Sequence, residues 1–245
     1  ASQGPAGGGG VASQFTAPSG PCMRSPHPSL IVLLLATLPL GLSAQRVNAT
    51  FIGNCAFRIG LEDWTLFTDF PYQPGYSGYD TYEMPADMAD VRGTALIKHG
   101  HLDHFDSSRF AGTRLDLIAP FQAEAAQAAS IARLEAQGIY IYPQATPHGD
   151  MPHASYIVSI RGRRLYIAGD TEDPAHLLAS RDLAVVFVTP WLLRTVHAQG
   201  KRIDARAVVV MHHEAATVEG LDLPAPCDGC RFVIPRQGEV IELFR

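Results

Sequence analysis

At 245 residues and 47% hydrophobic, the chain carries enough apolar material to bury the core of one sizeable domain. Its net charge of −5 and its scattered basic residues, clustered only at Arg161, Arg163 and Arg164, argue against a nucleic-acid partner.

Residues 1–22 are rich in Gly, Ser, Ala and Pro, bury too little to offset their chain entropy, and are expected to be an unpacked leader or an added upstream segment. Met23 and Arg24 then open an apolar run over 30–42 that ends in Leu42-Ser43-Ala44. A start methionine, a positive charge, a short hydrophobic stretch and small residues predict a secretory signal peptide over 23–44. The run contains Pro39 and is shorter than the ~20 residues of a spanning helix, so cleavage and a periplasmic or secreted location are expected. If the segment stays uncleaved, it anchors the protein in a membrane.

A single domain is expected over 45–245. Residues 47–52, 55–59 and 65–68 are β-branched and aromatic runs separated by turn residues, and predict an antiparallel meander. Cys55 reads as a small buried hydrophobe. Asp69, ending the third run, is placed to orient a histidine or to cap a turn. Residues 71–90 show no period and predict a loop; Tyr72, Tyr76, Tyr79 and Tyr82 within it would line a pocket or cover the sheet edge.

An apolar strand over 94–97 leads into Lys98-His99-Gly100-His101-Leu102-Asp103-His104, three histidines and a carboxylate within six positions. A transition-metal ion needs such imidazole and carboxylate donors converging on one point. A strand is predicted over 115–119, then a helix over 121–137 closed by Gly138. Strands follow over 139–142, 155–160 and 164–168, the last two joined by a hairpin turn. Residues 174–180 predict a short helix, and the near-continuous apolar runs 183–189 and 207–211 predict strands covered on both faces. Trp191 is read as core, or as a pocket wall. Cys227-Asp228-Gly229-Cys230 is expected to close a local disulfide, half a zinc site or a redox motif being the other readings. Residues 232–235 and 239–244 predict a closing hairpin. Strands outnumber helices, and the helices fall between groups of strands, which predicts two packed sheets with helices outside.

Three further positions have ligand character where a predicted strand gives way to a loop: His148, Asp170 and His212. His153 is the alternative to His148, and His213 the alternative to His212, since neighbouring side chains on a strand face opposite ways. His176 and His197 lack such a context and are expected to be surface or structural. Grouped, His99, His101 and His148 would hold one ion, Asp103, His104 and His212 a second, with Asp170 bridging. Two divalent ions sharing a hydroxide provide a nucleophile at neutral pH, which points to hydrolysis.

This pattern resembles the metallo-β-lactamase superfamily, whose His-x-His-x-Asp-His signature is present as His99, His101, Asp103 and His104. The Gly169-Asp170-Thr171-Glu172-Asp173 and Thr68-Asp69-Phe70-Pro71-Tyr72 segments are similar to its small single-domain branch. Asn54, between Gly53 and Cys55, stands where relatives often carry a non-ligand histidine. The resemblance implies an α+β fold, a four-layer αββα sandwich of two mixed β-sheets with outer helices and the metals at one sheet edge. It also implies two Zn2+ ions, Mn2+ or iron being alternatives, acting on an ester, lactone, amide or phosphodiester bond of a small molecule. Asp103 would be both ligand and catalytic residue; Asp69, Tyr72, Thr171 and Glu172 would support the ligands or line the pocket. The alternative functions are a β-lactamase proper and a non-hydrolytic metal-binding or redox protein.

Overall fold

A computed structural model describes residues 46–214, 218 and 220–245; the predicted leader and signal peptide lie outside the described residues. In chain order the elements begin with β1 (Val47–Gly53), β2 (Ala56–Gly60), β3 (Thr65–Thr68), β4 (Gly93–Leu96), α1 (Ser107–Phe110), β5 (Leu115–Ile118) and α2 (Glu124–Glu135). They continue with β6 (Ile139–Ala145), β7 (Ala154–Ile160), β8 (Arg163–Ile167), α3 (Ala175–Ala179), β9 (Leu183–Val188), α4 (Pro190–Ala198), β10 (Ala207–Val210), β11 (Arg231–Val233) and β12 (Val240–Phe244).

Two mixed six-stranded sheets result, ordered β12-β1-β2-β3-β4-β5 and β11-β10-β9-β8-β7-β6. The first three strands form the expected meander, and β4 and β5 add in parallel. The sheets are held together by their facing apolar rows. Alternation along β1 buries Val47, Ala49 and Phe51, and the ring of Phe57 on β2 meets that of Phe187 on β9 at 4.8 Å between centroids. Every residue of β9 is buried, as its uninterrupted apolar run requires of a strand covered on both faces.

Outside, α2 packs on β5 and β6, and Leu192, Leu193 and Val196 of α4 join the main core. Over the first sheet the outer layer is built by α1 and the segment between β3 and β4. There Phe67, Phe70, Tyr72, Met88 and Val91 form a second apolar cluster. Cys227 and Cys230 are joined in a disulfide. No helix among the described residues is long and apolar enough to cross a membrane.

Two expectations are corrected. The predicted closing hairpin does not form: β11 pairs in parallel with β10, whereas β12 pairs antiparallel with β1 in the other sheet. Pro235 follows with no N–H to extend a ladder, and the chain crosses over, Phe51 exchanging backbone hydrogen bonds with Gly238 and Glu239. Helix α4 was not anticipated either. The apolar run ends at Val188, so Thr189 caps the helix by accepting from the Leu192 N–H at 3.4 Å, and Pro190 occupies the first turn.

Candidate metal centre

Four site residues leave the carboxyl ends of strands: Asp69 after β3, His99 after β4, Asp170 after β8 and His212 after β10. The β1–β2 turn adds Asn54 and Cys55. Three of these non-glycine positions hold a left-handed backbone, with φ of 50° at Asn54, 42° at Asp69 and 58° at His212. Such conformations cost roughly 1–3 kcal/mol each and persist where surrounding contacts enforce them. Here those contacts turn the side chains inward: the His212 N–H donates to the Asn54 carbonyl at 2.7 Å, and the Lys98 N–H to Asp69 Oδ1 at 2.9 Å.

Two groups of donors gather. In one, ligand atoms of His99, His101 and His148 lie within 4.8 Å of one another. In the other, Cys55, His104, Asp170 and His212 do the same. Asp170 Oδ2 joins them, 3.1 Å from His104 Nε2, 2.9 Å from His212 Nε2 and 3.9 Å from His99 Nε2. Asp103 Oδ2 borders the second group, 3.6 Å from both His104 Nε2 and His212 Nε2.

A cation fits this donor set. His99 Nε2 and His101 Nδ1 crowd to 3.0 Å with His148 beside them, and one ion can accept a lone pair from each of the three neutral rings. Burial holds the His99 imidazole down to about 2, which keeps it neutral. Burial would lower His104 as well, yet Asp170 and Asp69 draw it up to about 10; the same carboxylates favour a cation beside its Nε2. Asp170 is held far below the usual carboxylate range: burial opposes ionisation, and the His104 and His212 rings overcome it.

The contacts of the paired histidines differ. His153 Nε2 accepts the Asp170 N–H at 3.0 Å and its Nδ1 pairs with Thr146 Oγ1 at 2.8 Å, so both nitrogens are used and the ring positions Asp170. His148 is the one that joins His99 and His101. His213 packs against Phe51 at 5.1 Å, and His212 faces the carboxylates. Asp69 Oδ2 accepts from His104 Nδ1 at 2.6 Å, fixing the ring so that Nε2 points to Asp170, and Lys98 pairs with the same fully buried carboxylate. His176 and His197 are exposed on α3 and α4.

Of the other expected supporting residues, Tyr72 and Thr171 take different places, and Glu172 lines a pocket. Tyr72 is fully buried and donates to the Asp80 carbonyl at 2.7 Å, so it belongs to the outer core of the first sheet and not to a pocket wall. Thr171 Oγ1 accepts from the Asp173 N–H at 3.1 Å in a local turn, and support of Asp170 comes instead from His153 and from Trp191 Nε1, which donates to the Asp170 carbonyl at 3.3 Å. Glu172 lines a cavity of about 530 Å³ with His148, Asp170, Asp173, Thr195 and Gln199.

Three residues join the site beyond the expected ligands, of which Tyr79 alone was expected to line a pocket or cover the sheet edge. Tyr79 Oη lies 3.0 Å from His212 Nδ1, Asn54 Nδ2 donates to the Asp103 carbonyl at 2.7 Å, and Cys55 Sγ stands 4.0 Å from Asp170 Oδ1. Tyrosines in 71–90 were the one visible signal.

No protein-family model and no curated protein sequence matches the chain. Solved structures do. A possible metal-dependent hydrolase from Veillonella parvula is 16% identical with a TM-score of 0.56, over 81% of this chain and 100% of that one. The metallo-β-lactamase fold protein YhfI from Bacillus subtilis is 12% identical with a TM-score of 0.50, over 81% and 100%. A diphosphatase of the PhnP family is 11% identical with a TM-score of 0.50, over 81% and 97%. With its two facing mixed sheets and its histidine-rich edge, the chain has the metallo-β-lactamase fold.

Proposed function

We propose that the chain is a metal-dependent hydrolase of small molecules that uses two zinc ions. The observation that carries this reading is Asp170 Oδ2, set between one donor group of three imidazoles and another containing His104 and His212. His99, His101 and His148 would hold one ion; Asp103, His104 and His212 the other, with Asp170 shared. Bound there, the ions would supply Lewis acidity that brings the pKa of water toward ~7 and stabilises charge on a substrate oxygen. The chain's own residues set the stage. Asp69 and Tyr79 fix the His104 and His212 rings, His153 and Trp191 fix Asp170, and Asn54 holds the loop bearing Asp103. The Asp103 carboxylate, facing the open side, is placed to take up a proton from water during attack. The adjoining cavity, at about 530 Å³, suits a small molecule.

An ester, lactone, amide or phosphodiester is the bond class this reading favours. Hydrolase and diphosphatase descriptions of two similar folds accord with it. The Cys227–Cys230 disulfide supports export to a periplasmic or extracellular compartment. On a panel of such substrates, a chelator should abolish turnover and zinc restore it, and Asp103→Ala should lower kcat about a hundredfold or more. Turnover indifferent to chelation overturns the reading.

A further inference from the structure

Cys55 is fully buried at the margin of the main apolar core, yet its sulfur also reaches polar groups. It follows the left-handed turn at Asn54 and stands 4.0 Å from Asp170 Oδ1, while the other oxygen of that carboxylate faces His104 and His212. The sulfur and one ligand atom each from His104, Asp170 and His212 lie within 4.8 Å of one another. A buried cysteine that served only as packing would gain nothing from two imidazoles and a carboxylate for neighbours. The turn that carries it is also fixed against slipping: the Thr68 hydroxyl donates to the Cys55 carbonyl at 2.7 Å and accepts from the Phe57 N–H at 3.0 Å.

We propose that Cys55 is a sulfur ligand of the ion held by His104, Asp170 and His212. It closes the donor group on the interior side, whereas Asp103, with 11% of its side chain exposed, borders it toward solvent. On binding, the S–H bond gives way to a sulfur–metal bond and the proton leaves to solvent. A thiolate there favours thiophilic ions, so the position selects zinc over magnesium or manganese. The inference rests on the reading above that this edge holds ions, and adds a donor to it.

X-ray absorption on the zinc-loaded full chain tests it without relying on activity. Cys227 and Cys230 are paired, so in a Cys22→Ser variant the one remaining free thiol is Cys55. The expected result is a sulfur scatterer at about 2.3 Å in wild type and in Cys22→Ser, and its loss in Cys55→Ser. The Cys22→Ser spectrum decides the matter even if Cys55→Ser does not fold. A zinc-loaded protein with only nitrogen and oxygen neighbours overturns the sulfur ligand and leaves the hydrolase reading standing; a chain that takes up no zinc overturns both.

Discussion

Burying an imidazole is tolerable when both ring nitrogens find partners, and His153 has two: the Asp170 N–H and the Thr146 hydroxyl. Burial holds its pKa down to about 4, so near neutrality it stays an uncharged acceptor for that N–H. His153→Phe keeps the ring volume, deletes the acceptor and leaves the backbone of Asp170 unpaired. Zinc affinity should fall about 10- to 100-fold with the fold intact, as read by calorimetric titration beside circular dichroism; unchanged affinity would show that His153 only fills space. From sequence, His148 and His153 stood as alternatives because both precede the same strand. Only the hydrogen-bond partners separate the ring that gathers with His99 and His101 from the ring that holds Asp170. Cys55 and Asn54 were invisible as site residues, and the contacts of Tyr79 and Trp191, legible only as pocket or covering residues, were hidden for a related reason: each of the four acts on a residue at least 21 positions away. The cluster from His99 to His104, by contrast, is local and could be read directly.

At the scale of elements, the site depends on how strands end. Gly169, between β8 and Asp170, has φ of 70°, and a Cβ there would run into His153 Nε2 and come within 2.9 Å of Lys98 Cδ. Gly162, in the β7–β8 turn, has nearly the same backbone, φ 73°, with nothing within 4 Å of such a Cβ. Alanine at either position should cost at least roughly 0.4–1 kcal/mol through the left-handed backbone. Gly169→Ala should also lose zinc binding, whereas Gly162→Ala should bind as wild type; equal affinities in the pair would refute a role for this turn in placing Asp170. The strands themselves were legible because β-branched and aromatic runs with turn residues between them report local structure. α4 was hidden because Pro190-Trp191-Leu192-Leu193 resumes apolar sequence directly after Thr189, although the Thr-Pro pair at its start is a capping signal. The pairing of β11 and β12 was not legible at all, since two strands joined by a short turn read as a hairpin whichever sheets they enter.

For the molecule as a whole, two sheets packed through Phe57 and Phe187 bring candidate ligands from the ends of β4, β8 and β10 to one edge, although His99 and His212 are more than a hundred residues apart in the chain. No single sheet contains the site: the His99 to His104 loop belongs to the first, and His148, Asp170 and His212 to the second. The fold class followed from the order of strands and helices together with the histidine motif, whereas the outer layer over the first sheet, made of loop more than helix, followed from neither. Metal binding should therefore tie the two sheets together and raise the unfolding temperature in step with metal concentration. The most direct test is the metal content of the purified full chain after equilibration with zinc, measured by atomic emission. Two zinc ions per chain is the predicted result; one ion, or none, would contradict a shared Asp170 between two occupied donor groups.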